Sequence, residues 1–235
     1  MDWISAPPKP AEFTENRLID AILEGRFPIG SNLPAERDLA VQLGVTRPTL
    51  REALQRLARD GWVEIHQGKP TRVCDYWHEG NLGVLGAIAR RSDNLPPDFV
   101  PNLLFVRQLL APTYASQAVA QAPERITVVL EDSLTLDDTP DAFTSYDWYL
   151  HHQLTVASGN PVFTLILNGF SELYQQMGRL YFSAETARRH SRRFYGALKG
   201  AAEAKDPRAA EQITDQVMRE SLDLWRQRAQ KGGDW

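Results

Sequence analysis

The sequence predicts a mainly α protein: an N-terminal winged helix-turn-helix with a small β-hairpin, then a C-terminal all-α bundle of seven helices. Three observations predict it. Leu33 to Leu57 holds two short helical patterns joined at Gly44. Trp62 to Cys74 then reads as two β-favouring runs around Gly68. Beyond Asn81 no further hairpin pattern occurs, and helical patterns follow one another between proline and glycine breakers. The expected division is residues 1–75 for the winged unit, 76–81 for a linker and 82–235 for the helical domain.

Each element has its own local reason. Ala11 to Glu24 reads as a helix whose apolar face is Phe13, Leu18, Ile19, Ile22 and Leu23, broken by Gly25, Pro28 and Gly30. Pro34 can open the next helix, which has Leu39, Ala40 and Leu43 on one face and ends at Gly44, a residue free to adopt the left-handed conformation. Thr46 is a good N-cap for the helix that follows, and Pro48 falls in its first turn, where a missing N–H costs little. Leu50, Ala53, Leu54 and Leu57 recur at helical spacing up to Asp60-Gly61. Trp62 to His66 and Thr71 to Cys74 are the expected strands, with Gln67 to Pro70 as the turn. Further helices are expected near 82–91, 98–120, 123–132, 140–157, 161–182, 184–203 and 207–230, with a kink at Pro112.

Composition narrows the function classes. The chain has 235 residues and 43 % hydrophobic content, enough for packed cores. Its single cysteine, Cys74, cannot form an intramolecular disulfide and fits a reducing cytoplasm. No run of about 18 apolar residues suggests a membrane span, and Met1 to Pro10 lacks the basic and apolar segments of a secretion signal. The expected setting is therefore cytoplasmic, without membrane contact. No G-x-S-x-G, P-loop or H-E-x-x-H motif points to an enzyme.

The net charge of −4 argues against a nonspecific polycation, but charge is not spread evenly. Residues 46–72 hold six cations (Arg47, Arg51, Arg56, Arg59, Lys69, Arg72) against three acids (Glu52, Asp60, Glu64), a local net of +3. Local charge is what meets phosphates. The second helix of a helix-turn-helix enters the major groove of double-stranded DNA, and Arg47, Thr49 and Arg51 lie in its first turn and a half, beside Thr46. Arginine can bond guanine O6 and N7 together, and threonine hydroxyls can reach phosphates. The hairpin tip, Gln67 to Lys69, is expected near phosphates or the minor groove, with Gly68 allowing close backbone approach.

The run Leu33-Pro-Ala-Glu-Arg-Asp-Leu-Ala-Val-Gln-Leu-Gly-Val-Thr-Arg-Pro-Thr-Leu-Arg-Glu-Ala-Leu-Gln-Arg-Leu-Ala-Arg-Asp-Gly61 resembles the winged-helix signature of GntR-type bacterial transcription regulators. Within them, Arg26-Phe-Pro28, Gly68-Lys-Pro-Thr71, Asn102-Leu-Leu104, Ala157-Ser-Gly-Asn-Pro161, Leu165-Ile-Leu-Asn-Gly169 and the group Tyr174, Tyr181, Phe182 resemble the FadR group, acyl-CoA-responsive regulators of fatty-acid metabolism. The resemblance implies a homodimer. It also implies a helical domain that binds long-chain acyl-CoA as effector and releases the operator, with no cofactor. In that group, degradation genes are repressed and unsaturated fatty-acid synthesis genes activated.

By the same resemblance, Arg37 joins Thr46, Arg47, Thr49 and Arg51 as a DNA contact, and Gln67 stands where the group has a histidine, one place after His66. Arg107, Tyr174, Tyr181, Ser221 and Trp225 match positions near the acyl-CoA site. Tyrosine and tryptophan suit a ligand with a polar head and an apolar tail. A lysine of the group falls on Gln230, so the CoA phosphates would turn to Lys231, Arg226, Arg228 or the run Arg188 to Arg193. Asp147 and His151, one helical turn apart, begin the metal site of many GntR relatives, but Tyr195 stands where a further histidine is expected. Two ligands hold Zn²⁺ poorly. A regulator sensing a small carboxylate through such a metal is the alternative function.

Overall fold

A computed structural model describes residues 9–91 and 98–230. The chain divides into two compact units, residues 1–87 and 88–235.

The first unit contains α1 (Pro10–Leu23), α2 (Glu36–Leu43), α3 (Arg47–Asp60), β1 (Val63–Glu64) and β2 (Arg72–Val73), and ends within α4 (Leu82–Ala89). Leu18, Ile19 and Ile22 of α1 pack with Leu50, Leu54 and Leu57 of α3 in a fully buried core. Phe13 departs from expectation: it is 45 % exposed, with the Arg17 guanidinium 6.0 Å from its ring centre. The turn between α2 and α3 forms as its residues require. Gly44 has φ 69°, and Thr46 accepts a hydrogen bond from the Thr49 N–H at 3.3 Å, capping α3. α2 begins at Glu36 rather than at Pro34.

The wing is shorter than predicted. Val63 pairs with Val73 and Glu64 with Arg72, antiparallel, and no further pair extends the ladder. Ile65 is 44 % exposed, so nothing apolar holds the outer end of the hairpin. The other side of β2 has a partner the alternation did not reveal. Asn32 bridges to Arg72, and the Val73 and Leu33 N–H groups donate to Ser31 and Thr71 carbonyls at 2.8 Å.

The stretch 76–81, expected as a linker, is packed into the first unit instead. Tyr76 lies on Trp62 with ring centres 4.8 Å apart, Arg72 joins Glu64 and Glu79, and Asn81 Nδ2 donates to the Arg59 carbonyl at 2.9 Å. The unit boundary accordingly falls after Ala87, later than the expected start at residue 82.

The second unit is helical among the described residues: α5 (Phe99–Gln121), α6 (Pro123–Glu131), a 3-10 turn (Asp132–Thr135), α7 (Pro140–Ala157), α8 (Pro161–Gly169), α9 (Ser171–Phe182), α10 (Glu185–Glu203) and α11 (Pro207–Gln230). α5 continues as one helix through the buried Pro112 and packs along α11, while α7 packs along α9. Thr139 and Asn160 cap α7 and α8 through bonds from Ala142 and Val162 N–H groups. The one helix expected over 161–182 is two. At Phe170, ψ opens to 2° directly after Gly169, a poor helix former, and the chain restarts at Ser171. No helix of the described residues is long and apolar enough to cross a membrane.

Candidate functional site

The first unit offers a charged surface at the start of α3. Arg47 and Arg51 each have 57 % of their side chains exposed. Both meet one carboxylate: Arg51 Nε donates to Glu36 Oε2 at 2.7 Å, and Arg47 Nη2 lies 4.0 Å from the same oxygen. Arg37 is 81 % exposed and pairs with its neighbour Asp38 at 3.1 Å. The Thr46 and Thr49 hydroxyls bond each other at 2.8 Å, so the cap also orients Thr49. At the wing tip Gln67 and Gly68 are exposed, Gly68 has φ 73°, and His66 reaches Glu64 at 3.3 Å. Arginines, hydroxyls and a protruding tip on one compact unit are the equipment of a groove reader.

The second unit encloses a cavity of about 940 Å³, counting its open mouth, among α5, α7, α8, α9 and α11. Its walls are apolar: Leu103 and Leu104 of α5, Phe163, Ile166 and Leu167 of α8, Leu173 and Met177 of α9 and Trp225 of α11. The polar groups converge on Arg107. Its Nη2 donates to Asp147 Oδ2 at 2.8 Å and to His151 Nε2 at 2.6 Å. Tyr174 donates to Asp147 Oδ2, and Tyr195 donates to Asp147 Oδ1 at 2.8 Å. Tyr114 meets His151 Nδ1 at 2.7 Å.

The donor inventory assigns the protons. Arginine only donates, so Nε2 of His151 is the bare nitrogen and Nδ1–H donates to the Tyr114 oxygen. Burial, with the Arg107 charge, pushes His151 down to about 3, so the imidazole stays neutral. Burial opposes ionisation of Asp147, but Arg107 and the two phenol bonds outweigh it and hold the carboxyl below its ordinary range. Burial raises Tyr114, Tyr174 and Tyr195, which keeps them protonated. The result is a charge-balanced Asp147–Arg107 pair in which Oδ2 of Asp147 accepts two bonds and Oδ1 one. One group is left over: Arg107 Nε is buried and has no hydrogen-bond partner.

Comparison with known proteins places this architecture. A model of the FadR C-terminal domain matches residues 74–231, and one of the bacterial regulatory proteins of the gntR family matches residues 10–73. The chain belongs to the FadR branch of the GntR family. Proteins named fatty acid metabolism regulator protein are similar to it. One from Shewanella sp. (strain MR-7) is 46 % identical over 197 residues, 84 % of this chain and 82 % of that protein. One from Pectobacterium atrosepticum is 44 % identical over 209 residues, 89 % and 84 % of the two chains. Among solved structures, one titled for Lar, which controls the Listeria monocytogenes agr system, shares the fold. It has a TM-score of 0.67 and 15 % identity, and the match covers 95 % of this chain and 99 % of that one.

Against the FadR-type expectation, the structure gathers Arg107, Tyr174, Tyr181 and Trp225 around one cavity. Ser221 stands behind it, accepting from the Tyr181 hydroxyl at 3.2 Å and donating to the Val217 carbonyl at 2.8 Å. Tyr174 and Tyr181, seven residues apart, do share a face of α9. Tyr114 was not singled out in the sequence, and Asp147 and His151 were expected to begin a metal site only under the alternative function. Their Oδ1 and Nε2 are 3.9 Å apart, and the guanidinium of Arg107 binds both residues. Among the described residues no group of three or more His, Cys, Asp or Glu could hold a metal ion.

The run Arg188 to Arg193 is largely occupied with the protein itself. Arg188 holds Asp138 and the Phe182 carbonyl, Arg189 holds Glu185, and Arg192 holds the Leu136 carbonyl while covering the Phe143 ring at 4.8 Å. Arg226 is exposed on α11. Lys231 and the side chains of Arg228 and Gln230 lie outside the described residues.

Proposed function

We propose that this chain is a cytoplasmic, homodimeric transcription regulator of fatty-acid metabolism that binds operator DNA and releases it when long-chain acyl-CoA fills the cavity. The first unit reads DNA; the second binds effector and dimerises. Arg37, Thr46, Arg47, Thr49, Arg51, Gln67 and Gly68 contact the duplex, and Arg107, Tyr174, Tyr181, Ser221 and Trp225 contact or frame the effector. Repression of degradation genes and activation of unsaturated fatty-acid synthesis genes complete the reading.

The observation that carries it is the cavity's division of labour. A large apolar wall from α5, α8 and α9 suits a hydrocarbon tail, while Arg107 in the lining gives a charged group for the polar head. The names of the relatives, fatty acid metabolism regulator, support the same physiological setting. The protein is not an enzyme in this reading: its polar cluster is closed on itself and offers no activated nucleophile.

A gel shift on the promoter of a fatty-acid gene, with and without oleoyl-CoA, tests the switch. The expected result is a retarded band that disappears at micromolar ligand. Isothermal titration separates the parts. No heat with oleoyl-CoA overturns the effector, and binding without release of DNA overturns the coupling. Trp225→Ala is expected to spare DNA binding and weaken oleoyl-CoA binding.

A further inference from the structure

We infer that Glu36 is a positioning residue for DNA reading, whose carboxylate sets the recognition arginines Arg51 and Arg47 in one arrangement before DNA arrives. The inference rests on the DNA-reading function proposed above and adds a residue that does not itself touch the duplex.

Four observations carry it. Glu36 is the first residue of α2, where the helix dipole favours a negative charge. Its side chain is 34 % exposed, enough covered to be held and enough open to lie beside the groove surface. One oxygen, Oε2, takes the Nε–H of Arg51 at 2.7 Å across fifteen residues of sequence and draws Arg47 Nη2 to 4.0 Å. Arg47 and Arg51 are four apart on α3, so without that oxygen their like charges repel along one face.

The chemistry of the contact matters more than its strength. A bond to Nε leaves the terminal pair, Nη1 and Nη2, for another partner. That parallel pair matches O6 and N7 of guanine in the major groove. A free arginine loses rotamer freedom when it binds; one already tethered loses less. The carboxylate also disfavours approach of phosphates, which weakens binding to any sequence but least where Nη1 and Nη2 gain a base. Specificity is a difference of affinities, and Glu36 acts on both sides of it. Arg37 shows the contrast: among the described residues its hydrogen bond goes to the adjacent Asp38, within its own turn.

The test uses the full chain and three proteins: native, Glu36→Ala and Glu36→Gln. A duplex is selected from a randomised pool by the native protein, and each protein is then titrated with that duplex and with a scrambled one of the same composition. Alanine is expected to lower the selected-to-scrambled ratio by about tenfold or more while scrambled binding holds or tightens. Glutamine keeps an oxygen for Arg51 Nε–H and is expected to retain most of the ratio, with tighter scrambled binding. Thermal unfolding of all three is expected to coincide. An alanine variant with the native ratio overturns the inference, and so does a glutamine variant that loses as much ratio as alanine. A native protein that selects no sequence overturns the DNA-reading function beneath it.

Discussion

Arg51 and Arg107 sit in opposite environments, one in each unit. Arg51 is 57 % exposed and leans on a single carboxylate. Arg107 is 20 % exposed and is bound into a cluster with Asp147 and His151, with the Tyr174 ring 5.3 Å from its guanidinium carbon. Water screens the first, so its pairing contributes little to stability and its value lies in what it can meet. The second has been taken out of water, and its partners cannot be left without it. One arginine is held ready for a partner; the other is already spent on the fold, except for its Nε.

The sharpest way to break this contrast is to truncate both. Arg107→Ala is expected to cost about 3–5 kcal/mol in urea unfolding, because it strands the buried charge of Asp147. Arg51→Ala should change stability by about 0.5 kcal/mol or less. Equal losses would mean that the two arginines are not used differently. Next in size, Tyr174→Phe removes one donor to the Asp147 carboxylate and is expected to cost about 1.5–3 kcal/mol in the same assay.

Arg47→Ala or Arg51→Ala should then weaken binding to the selected duplex by about 1–3 kcal/mol. A loss that is the same on scrambled DNA would reduce the residue to a phosphate contact. The smallest effect at neutral pH concerns His151. Its folded value, about 3, lies below the ordinary 6.5. As pH falls below 6.5 the unfolded chain takes up a proton that the folded imidazole refuses, so stability declines. Asp147, also held low, adds a loss of the same sign at lower pH. His151→Gln is expected to make the decline below pH 6.5 shallower in urea midpoints measured against pH; an unchanged slope would remove His151 from the account.

Legibility in the sequence followed the distance over which each residue acts. Gly44, Thr46 and the spacing of Leu50, Leu54 and Leu57 act within one turn of helix, and all behave as read. The pairing of Asn32 with Arg72 is invisible to alternation, because one member is a single residue in a loop. The break at Gly169 was hidden because Leu167, Phe170 and Leu173 keep helical spacing on either side of it. In the second unit, the spacing of Asp147 and His151 was plain, but its meaning was not. What lies between them comes from Arg107, forty residues upstream on α5, and only folding brings that cation in place of a metal. Tyr174 was read as lining and proves to donate to the carboxylate as well; the second phenol donor is Tyr195, read only as standing where a histidine was expected.

α8 has a kinetic consequence. Three of its side chains wall the cavity, yet none of its nine residues is buried, and Val162 and Leu165 are 55 % and 68 % exposed. It is bounded by Gly159, with φ 74°, and by the break at Phe170. Segments with little burial open at a small fraction of the global unfolding free energy. Of the walls around the cavity, α8 is therefore the one expected to exchange its amide hydrogens first, ahead of α5 and α7.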